Sequence, residues 1–186
     1  TSKVVWVDED ENADQYTAWP FWSPDSKEMF YQVLNRDQND LQILSANPET
    51  GKNKLIYQEK NNTWVEFFED IYILKNNKGF ILRSEQDGWR HLYYYDMNGK
   101  LKKQLTKGEW NVSDIKLVDE KNKKIYFEAN KGERLETHLF VVDFDGDDIE
   151  QLTNIQGTHK VSVSLNGKYF YDSYSNINTP GKLDLN

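Results

Sequence analysis

Hydrophobic and aromatic residues recur along this chain in short runs that polar turns separate. The runs at 79–85, 124–129 and 138–144 are rich in Phe, Tyr, Ile and Val, and Gly, Asn, Asp or Lys residues lie next to them. Such runs predict β-strands, and no helical periodicity longer than a turn or two interrupts them. We therefore expect an all-β fold.

The centre of the chain repeats one phrase. The stretch 84–110 contains His-Leu, Asn-Gly and Gln-Leu-Thr, and the stretch 137–153 contains His-Leu, Asp-Gly and Gln-Leu-Thr. His91 lies 47 residues before His138, and the other matched pairs have the same spacing. A period of about 40–50 residues with several short strands per unit is typical of β-propeller blades. The Asn-Gly and Asp-Gly pairs predict type I′ hairpins, with positive φ at both central positions.

Each unit divides into short strands. We predict complete four-stranded blades at about 16–58, 64–106 and 112–153, and partial blades at 1–8 and 158–186. The expected strands are 4–7, 16–22, 28–34, 41–46, 54–58, 66–74, 79–85, 91–97, 101–106, 112–118, 124–129, 138–144, 148–153, 160–165 and 169–174, with a stub at Leu183. Residues 1–186 are thus interpreted as a single β-propeller fragment. Closed propellers have about 4–8 blades, so we expect these blades to be part of a larger ring.

Composition narrows the possible functions. Aromatic residues make up 14% of the 186 residues, which favours a folded core over disorder. The net charge of −8 argues against a surface that binds nucleic-acid phosphates. The absence of cysteine excludes disulfides and thiolate chemistry. No apolar run approaches the ~18 residues of a membrane span. The chain begins with Thr1 and no signal segment, so we expect a processed or truncated polypeptide.

Residues that could carry catalysis or bind a metal are few. His91 and His138 occupy equivalent positions of the repeat, which favours a structural role, and with His159 they form no metal-ligand spacing. The sequence contains no Gly-x-Ser-x-Gly nucleophile elbow. We predict no catalytic residue, no metal site and no cofactor in this chain.

Three segments resemble one enzyme family. "SEQDGWRHLYYYDMNGKLKKQLTKGEW", at 84–110, is similar to the Ser-Glu-x-Asp-Gly-x-x-His-Leu-Tyr … Leu-Thr-x-Gly-x-Trp segment of the dipeptidyl peptidase IV propeller. "QYTAWPFWSPDSKEMFYQVLNRDQNDLQI", at 15–43, resembles the preceding blade of bacterial members. "GTHKVSVSLNGKYFYDSYSNINTP", at 157–180, resembles the blade that ends the propeller. The resemblance covers nearly the whole chain, in order.

The resemblance implies a role in a serine peptidase of the prolyl oligopeptidase clan. Such enzymes remove X-Pro or X-Ala dipeptides from N-termini, and they join an eight-bladed propeller to an α/β-hydrolase domain with a Ser-Asp-His triad. This chain lacks the nucleophile elbow and the family's paired-glutamate segment. The implied role is therefore non-catalytic: it shapes substrate access and peptide binding. The implied partners are the peptide substrate and the hydrolase domain of the same parent protein, and nucleic acid is not among them. The resemblance also implies a bacterial protein that is periplasmic or secreted.

The segment "NTWVEFFED" holds the candidate peptide-cavity residues. In the family, the loop that enters this blade faces the central cavity, and an aromatic residue there contacts the bound peptide. By position Phe68 is the equivalent residue, with Phe67 and Trp64 beside it, although Glu66 and Glu69 differ from the family pattern. The alternative is that these aromatic side chains pack between blades.

Two further expectations concern the chain as a whole. The alternative function is a non-enzymatic propeller-type module that binds proteins or peptides. A Gly-x-Ser-x-Gly segment downstream in the parent reading frame would favour the peptidase. We also expect self-association through the apolar faces of cut blades, at 4–22 and 160–174, because large exposed apolar patches drive association.

Overall fold

The structure is a computed structural model that describes residues 3–186. Within that range it consists of β-strands joined by turns and loops, and it contains no helix. In chain order the strands are β1 (Gln15–Trp22), β2 (Met29–Asn35), β3 (Asp40–Ala46), β4 (Asn53–Lys60), β5 (Ile71–Ile73), β6 (Gly79–Ser84), β7 (His91–Asp96), β8 (Leu101–Gln104), β9 (Val112–Asp119), β10 (Lys124–Ala129), β11 (His138–Asp143), β12 (Ile149–Gln151), β13 (Thr158–Val163), β14 (Phe170–Asn176) and β15 (Thr179–Leu185).

The strands form open antiparallel sheets, four of them within the described residues. Their orders are β1-β2-β3-β4, β5-β6-β7-β8, β9-β10-β11-β12 and β13-β14-β15. Neighbours in each sheet are consecutive in sequence, so each sheet is a meander, which is the topology of a propeller blade. The predicted all-β blade architecture is therefore confirmed. None of the described residues forms a helix with the length and apolar character that a membrane crossing needs.

The chain divides into two compact units. The first comprises the residues up to Ile81 together with Tyr95–Leu101, and the second comprises Leu82–Tyr94 and Lys102–Asn186. In the first unit, β2 is buried at every interior position from Phe30 to Leu34, as expected of a central strand that is covered on both faces. In the second unit, the interior of β11 is buried in the same way.

A buried histidine links β7 to the segment after β8. His91 is fully buried, and its Nε2 donates to the Gly108 carbonyl oxygen at 2.9 Å, so in the neutral ring Nδ1 is the acceptor. The Thr106 hydroxyl donates to that nitrogen at 3.0 Å, and its oxygen accepts the N–H of Leu92 at 2.9 Å. One hydroxyl thereby satisfies two buried groups of the neighbouring strand.

The second copy of the phrase builds the same contacts. His138 Nδ1 lies 3.1 Å from the Thr153 hydroxyl, which accepts the N–H of Leu139 at 3.0 Å. Here Nε2 faces the Glu136 carboxylate at 3.1 Å. A hydrogen bond with His138 is the main cause that lowers the pKa of Glu136. The two copies of the repeated phrase therefore form the same contact between a histidine and a threonine.

The predicted type I′ turns are wrong. Between β7 and β8, φ is +73° at Gly99, whereas Asn98 is not among the residues with positive φ. The Gly99 N–H donates to the Asp96 carbonyl oxygen at 3.0 Å, which is the pattern of a type I turn followed by a left-handed glycine. A Cβ on Gly99 would lie 2.5 Å from the Ile56 carbonyl oxygen, so the close approach to β4 requires glycine. Gly146 also has φ of +73° in the matching turn.

The predicted strand at 4–7 is also wrong. Residues 3–14 contain no strand, and their backbone meets the β3–β4 turn instead of a neighbouring strand. The Asp8 N–H donates to the Gly51 carbonyl oxygen at 2.9 Å, and Val7 packs against Tyr31 and Val33. Without a partner strand along its length, this segment cannot form the ladder of hydrogen bonds that defines a strand.

Several other strands begin or end at residues that differ from the prediction, and two of these differences are large. The strand predicted at 66–74 is limited to Ile71–Ile73, because the residues before it bond to loops and to a side chain. The stub at Leu183 is a full strand, Thr179–Leu185, that pairs with β14. It contains Pro180 and Gly181, which an edge strand such as β15 accommodates.

Candidate functional site

The segment that contains the candidate aromatic residues is anchored on β2 and on the β2–β3 turn of the first unit. The Gln32 side chain, which β2 buries, donates to the Phe68 carbonyl oxygen and accepts the Phe68 N–H, both at 2.8 Å. The Val65 N–H donates to the Gln38 carbonyl oxygen at 2.8 Å, and the Asn61 N–H to that of Asn39 at 3.0 Å. These bonds replace a strand ladder and fix the course of the backbone through 61–68.

Phe68 lies behind this segment rather than on its surface. It is 8% exposed, and its ring centroid lies 5.9 Å from that of Tyr57. Tyr57 also packs edge-on against Tyr95 at 4.8 Å, and its hydroxyl donates to Glu59 at 2.8 Å. Burial, with the Glu59 charge beside it, raises the pKa of Tyr57, so the phenol is neutral and donates. A direct contact of Phe68 with peptide stays a prediction.

Trp64 and Phe67 line a cavity of about 430 Å³ in the first unit. This volume lies within the range of small-ligand sites, about 300–1,000 Å³. Trp64 is 54% exposed and Phe67 is half-buried. The remaining lining residues come from the same segment, from β1, from the end of β2 and from the β2–β3 turn: Tyr16, Trp19, Leu34, Gln38, Val65, Glu66 and Glu69.

The backbone of β1 places Trp19 at this cavity. The register of β1 against β2 shifts between Ala18 and Phe21, which marks a β-bulge. Trp19 has φ of +55°, a left-handed conformation that bulky residues rarely adopt. Bulges reorient side chains and are common beside functional sites. At 49% exposed, the indole is held where it contributes apolar surface to the cavity.

The charged groups of the cavity are mostly acidic. Glu66 and Glu69 are both exposed lining residues. Tyr16, another lining residue, carries the guanidinium of Arg36 over its ring, 5.3 Å from the centroid, and its hydroxyl accepts a hydrogen bond from that guanidinium. The lining of the cavity therefore combines aromatic surface with two acidic residues, an arrangement that can bind a partly apolar ligand.

Trp64 and Phe67 were predicted from the sequence as peptide-cavity residues, which stays a prediction, whereas the lining residues from β1 and the β2–β3 turn were not predicted. Tyr16, Trp19 and Gln38 come from a segment that carries no binding motif. One signal was available: Trp19 precedes Pro20 inside a predicted strand, and proline there indicates an edge or a bulge. Gln38, with φ of +55°, gave no such signal.

The three histidines belong to the second unit and are not among the residues that line this cavity. His159 is 2% exposed, with Nδ1 2.8 Å from the Asp172 carboxylate and Nε2 2.7 Å from the Ile155 carbonyl oxygen. Both ring nitrogens face acceptors, so this histidine serves to join β13 to β14. Among residues 3–186, no group of three or more acidic or histidine side chains is placed to hold a metal ion.

Comparison with known proteins identifies similar sequences over almost the whole chain. The family model described as "Dipeptidyl peptidase IV (DPP IV) N-terminal region" matches residues 1–181. The chain is 32% identical over 157 residues to dipeptidyl peptidase 4 of Trichophyton rubrum, which covers 81% of this chain and 20% of that protein. It is 26% identical to human dipeptidyl peptidase 8, with 92% of this chain and 25% of that protein covered. The chain thus spans about a fifth to a quarter of these relatives' length.

Solved structures show the same fold. A putative dipeptidyl aminopeptidase IV from Bacteroides ovatus superimposes with a TM-score of 0.84 at 29% identity, covering 96% of this chain and 28% of that one. Porphyromonas gingivalis dipeptidyl peptidase 4 gives a TM-score of 0.85 at 25% identity, covering 98% of this chain and 26% of that one. These similarities confirm both the β-propeller fragment and the resemblance found in the sequence.

Proposed function

This chain belongs to the dipeptidyl peptidase IV N-terminal region family, and from that membership we propose that it is the propeller portion of a serine peptidase. The whole enzyme would remove X-Pro or X-Ala dipeptides from the N-termini of peptides. This part of it is non-catalytic, because its sequence offers no nucleophile elbow. The function of this portion is to control the access of peptide substrates and to bind them.

The observation that carries this proposal is the cavity beside the anchored segment. Trp64 and Phe67 are exposed or half-buried on a backbone that Gln32 and Gln38 hold in place. A fixed backbone loses little entropy when a ligand binds, so rigid aromatic side chains bind peptide more effectively than mobile ones. Phe68 supports this surface from behind through its packing on Tyr57.

The proposed partners follow from the same assignment. The propeller would pack against an α/β-hydrolase domain of the same parent, which supplies Ser, Asp and His for acyl transfer. The parent would be a periplasmic or secreted bacterial enzyme. The isolated polypeptide would self-associate, because Trp6 and Trp22 are 86% and 55% exposed.

Titration with peptide tests the proposal. The chain is titrated with an Ala-Pro hexapeptide, and affinity is measured by isothermal calorimetry for wild type, Trp64→Ala and Phe67→Ala. We expect each variant to weaken binding by about five- to thirtyfold, the loss typical of an interface aromatic worth about 1–2 kcal/mol. Trp22→Ala is the matched control, because Trp22 is equally exposed but does not line the cavity. Equal losses in all three variants, or none, would overturn the assignment.

A further inference from the structure

Four aromatic side chains line the cavity beside the anchored segment: Tyr16, Trp19, Trp64 and Phe67. The two tryptophans are each about half exposed, so a ligand can reach both their ring faces and their indole N–H groups. Aromatic rings pack well against flat apolar groups, and each indole N–H donates one hydrogen bond. The cavity is therefore suited to a ligand that has apolar rings and free carbonyl oxygens.

The backbone around the cavity offers little to a peptide that would bind as an added β-strand. The Phe68 N–H and carbonyl oxygen both bond to the Gln32 side chain, and the Val65 N–H donates to the Gln38 carbonyl oxygen. The bulge in β1 interrupts the register of that strand, and Pro20 within it has no N–H to donate. Strand addition needs a continuous row of free backbone groups, so side chains must supply the affinity here.

We propose that this cavity binds a proline-rich segment of the peptide in the polyproline II conformation. This inference rests on the proposed peptide-binding function and names the class of peptide that the site prefers. A polyproline II segment has no internal hydrogen bonds, so its carbonyl oxygens are free to accept from the indole N–H groups. Its proline rings pack on aromatic side chains, as in other aromatic-lined grooves that bind such segments. An α-helix uses its carbonyl oxygens internally and would leave those donors without a ligand partner.

The backbone that carries the two tryptophans favours a ligand whose conformation exists before it binds. Trp64 lies on the segment that Gln32 and Gln38 anchor, and Trp19 lies in the β-bulge with φ of +55°. A left-handed conformation at a bulky residue is costly and persists where the surrounding structure enforces it. Because polyproline II is already populated in free proline-rich chains, binding on such a surface costs little conformational entropy on either side.

The test compares hexapeptides that begin with Ala-Pro and end in a tail of either four prolines or four alanines. A third peptide carries N-methylalanine in the tail, which lacks the backbone N–H as proline does but has no ring. Affinities are measured by isothermal calorimetry. We expect the proline tail to bind at least about fivefold more tightly than the alanine tail, as packing of proline rings on the aromatic lining predicts. The N-methylalanine tail should bind with an affinity between the two.

Variants assign the preference to the cavity. Trp64→Leu and Trp19→Leu should each reduce the preference for the proline tail over the alanine tail by about two- to tenfold, and Trp64→Phe, which keeps an aromatic ring but no N–H, should reduce it less. Trp22→Leu is the matched control, because Trp22 also lies on β1 and is similarly exposed but does not line the cavity. Circular dichroism and thermal melting establish that each variant is folded. A loss of preference in Trp22→Leu as large as in the other variants would refute the inference.

The outcomes separate this inference from the proposed function. If the proline and alanine tails bind equally, peptide binding stands and the preference for polyproline II is wrong. If only peptides with the proline tail bind, whether their N-terminus is free or acetylated, the polyproline II site stands and the proposed recognition of X-Pro N-termini is wrong. If no peptide binds, both proposals are overturned.

Discussion

Replacing Thr106 by valine removes one buried hydroxyl while keeping the shape of the side chain. That hydroxyl donates to His91 Nδ1 at 3.0 Å and accepts the Leu92 N–H at 2.9 Å. Thr106 is 1% exposed and His91 is fully buried, so water cannot replace either bond. The substitution therefore leaves two buried polar groups of β7 without a partner.

The magnitude follows from those two groups. Each buried polar group without a partner costs about 1–3 kcal/mol, so Thr106→Val should lower the free energy of unfolding by at least about 2 kcal/mol. Thr106→Ser keeps the hydroxyl and loses one methyl group, which should cost about 1 kcal/mol. Thr153→Val removes the equivalent hydroxyl of the second copy and should cost about as much as Thr106→Val.

Equilibrium unfolding in urea, followed by tryptophan fluorescence, measures these differences. Trp110 packs edge-on against His91 at 4.7 Å and so reports on this part of the blade. The predicted order of stability is wild type, then Thr106→Ser, then Thr106→Val. If Thr106→Val lies within about 0.5 kcal/mol of wild type, as ordinary surface substitutions do, the histidine–threonine contact does not hold the strands together.

Three further predictions concern a turn, an acidic side chain and catalysis. Gly99→Ala should destabilise the fold by at least about 1 kcal/mol more than Gly88→Ala in urea unfolding. Both glycines have positive φ, but only a Cβ at position 99 would collide with backbone, at the Ile56 carbonyl oxygen. Equal effects of the two substitutions would contradict this prediction. The hydrogen bond with Ser23 is the main cause that lowers the pKa of Asp25 from 3.8 to about 2. The ionised carboxylate therefore stabilises the folded state fully at pH values above 3.8, and this stabilisation is lost as the pH falls towards 2. Asp25→Asn should therefore flatten the fall of the urea midpoint between about pH 4 and 2, and an unchanged slope would refute the assignment. The purified chain should not hydrolyse a chromogenic Gly-Pro substrate above a mock-expression control, since it has no nucleophile elbow; turnover that persists only when the chain is present would contradict this.

The blades were predictable because their repeated residues perform repeated physical tasks. His91 and His138 recur at a fixed spacing because each bonds the threonine that follows fifteen residues later, at 106 and 153. The turn glycines recur because a Cβ would collide with a neighbouring backbone, as it would at Gly99. Local patterns of this kind are visible in one sequence without any knowledge of the fold.

The candidate cavity was only partly predictable because its contacts link distant residues. The course of the segment at 64–70 depends on Gln32, a buried polar residue in β2 that lies 36 positions from Phe68 in the sequence. The side-chain hydrogen bonds of Gln32 hold this segment where the pattern of hydrophobic and polar residues alone predicts a strand. Trp19 reaches the cavity only because β1 contains a bulge, and the Trp-Pro pair indicates the bulge but not the direction of the indole.

The central proposal is that this chain is a non-catalytic propeller portion that binds peptides. Hydrogen exchange with and without peptide is the most direct test of that binding. The amides of the chain are followed by mass spectrometry in the absence and presence of a saturating Ala-Pro hexapeptide. We expect slower exchange concentrated at 64–69 and around Trp19, and unchanged exchange rates in the blades of the second unit. Peptide binding that leaves these amides unchanged, or that slows exchange only in the second unit, would contradict the account.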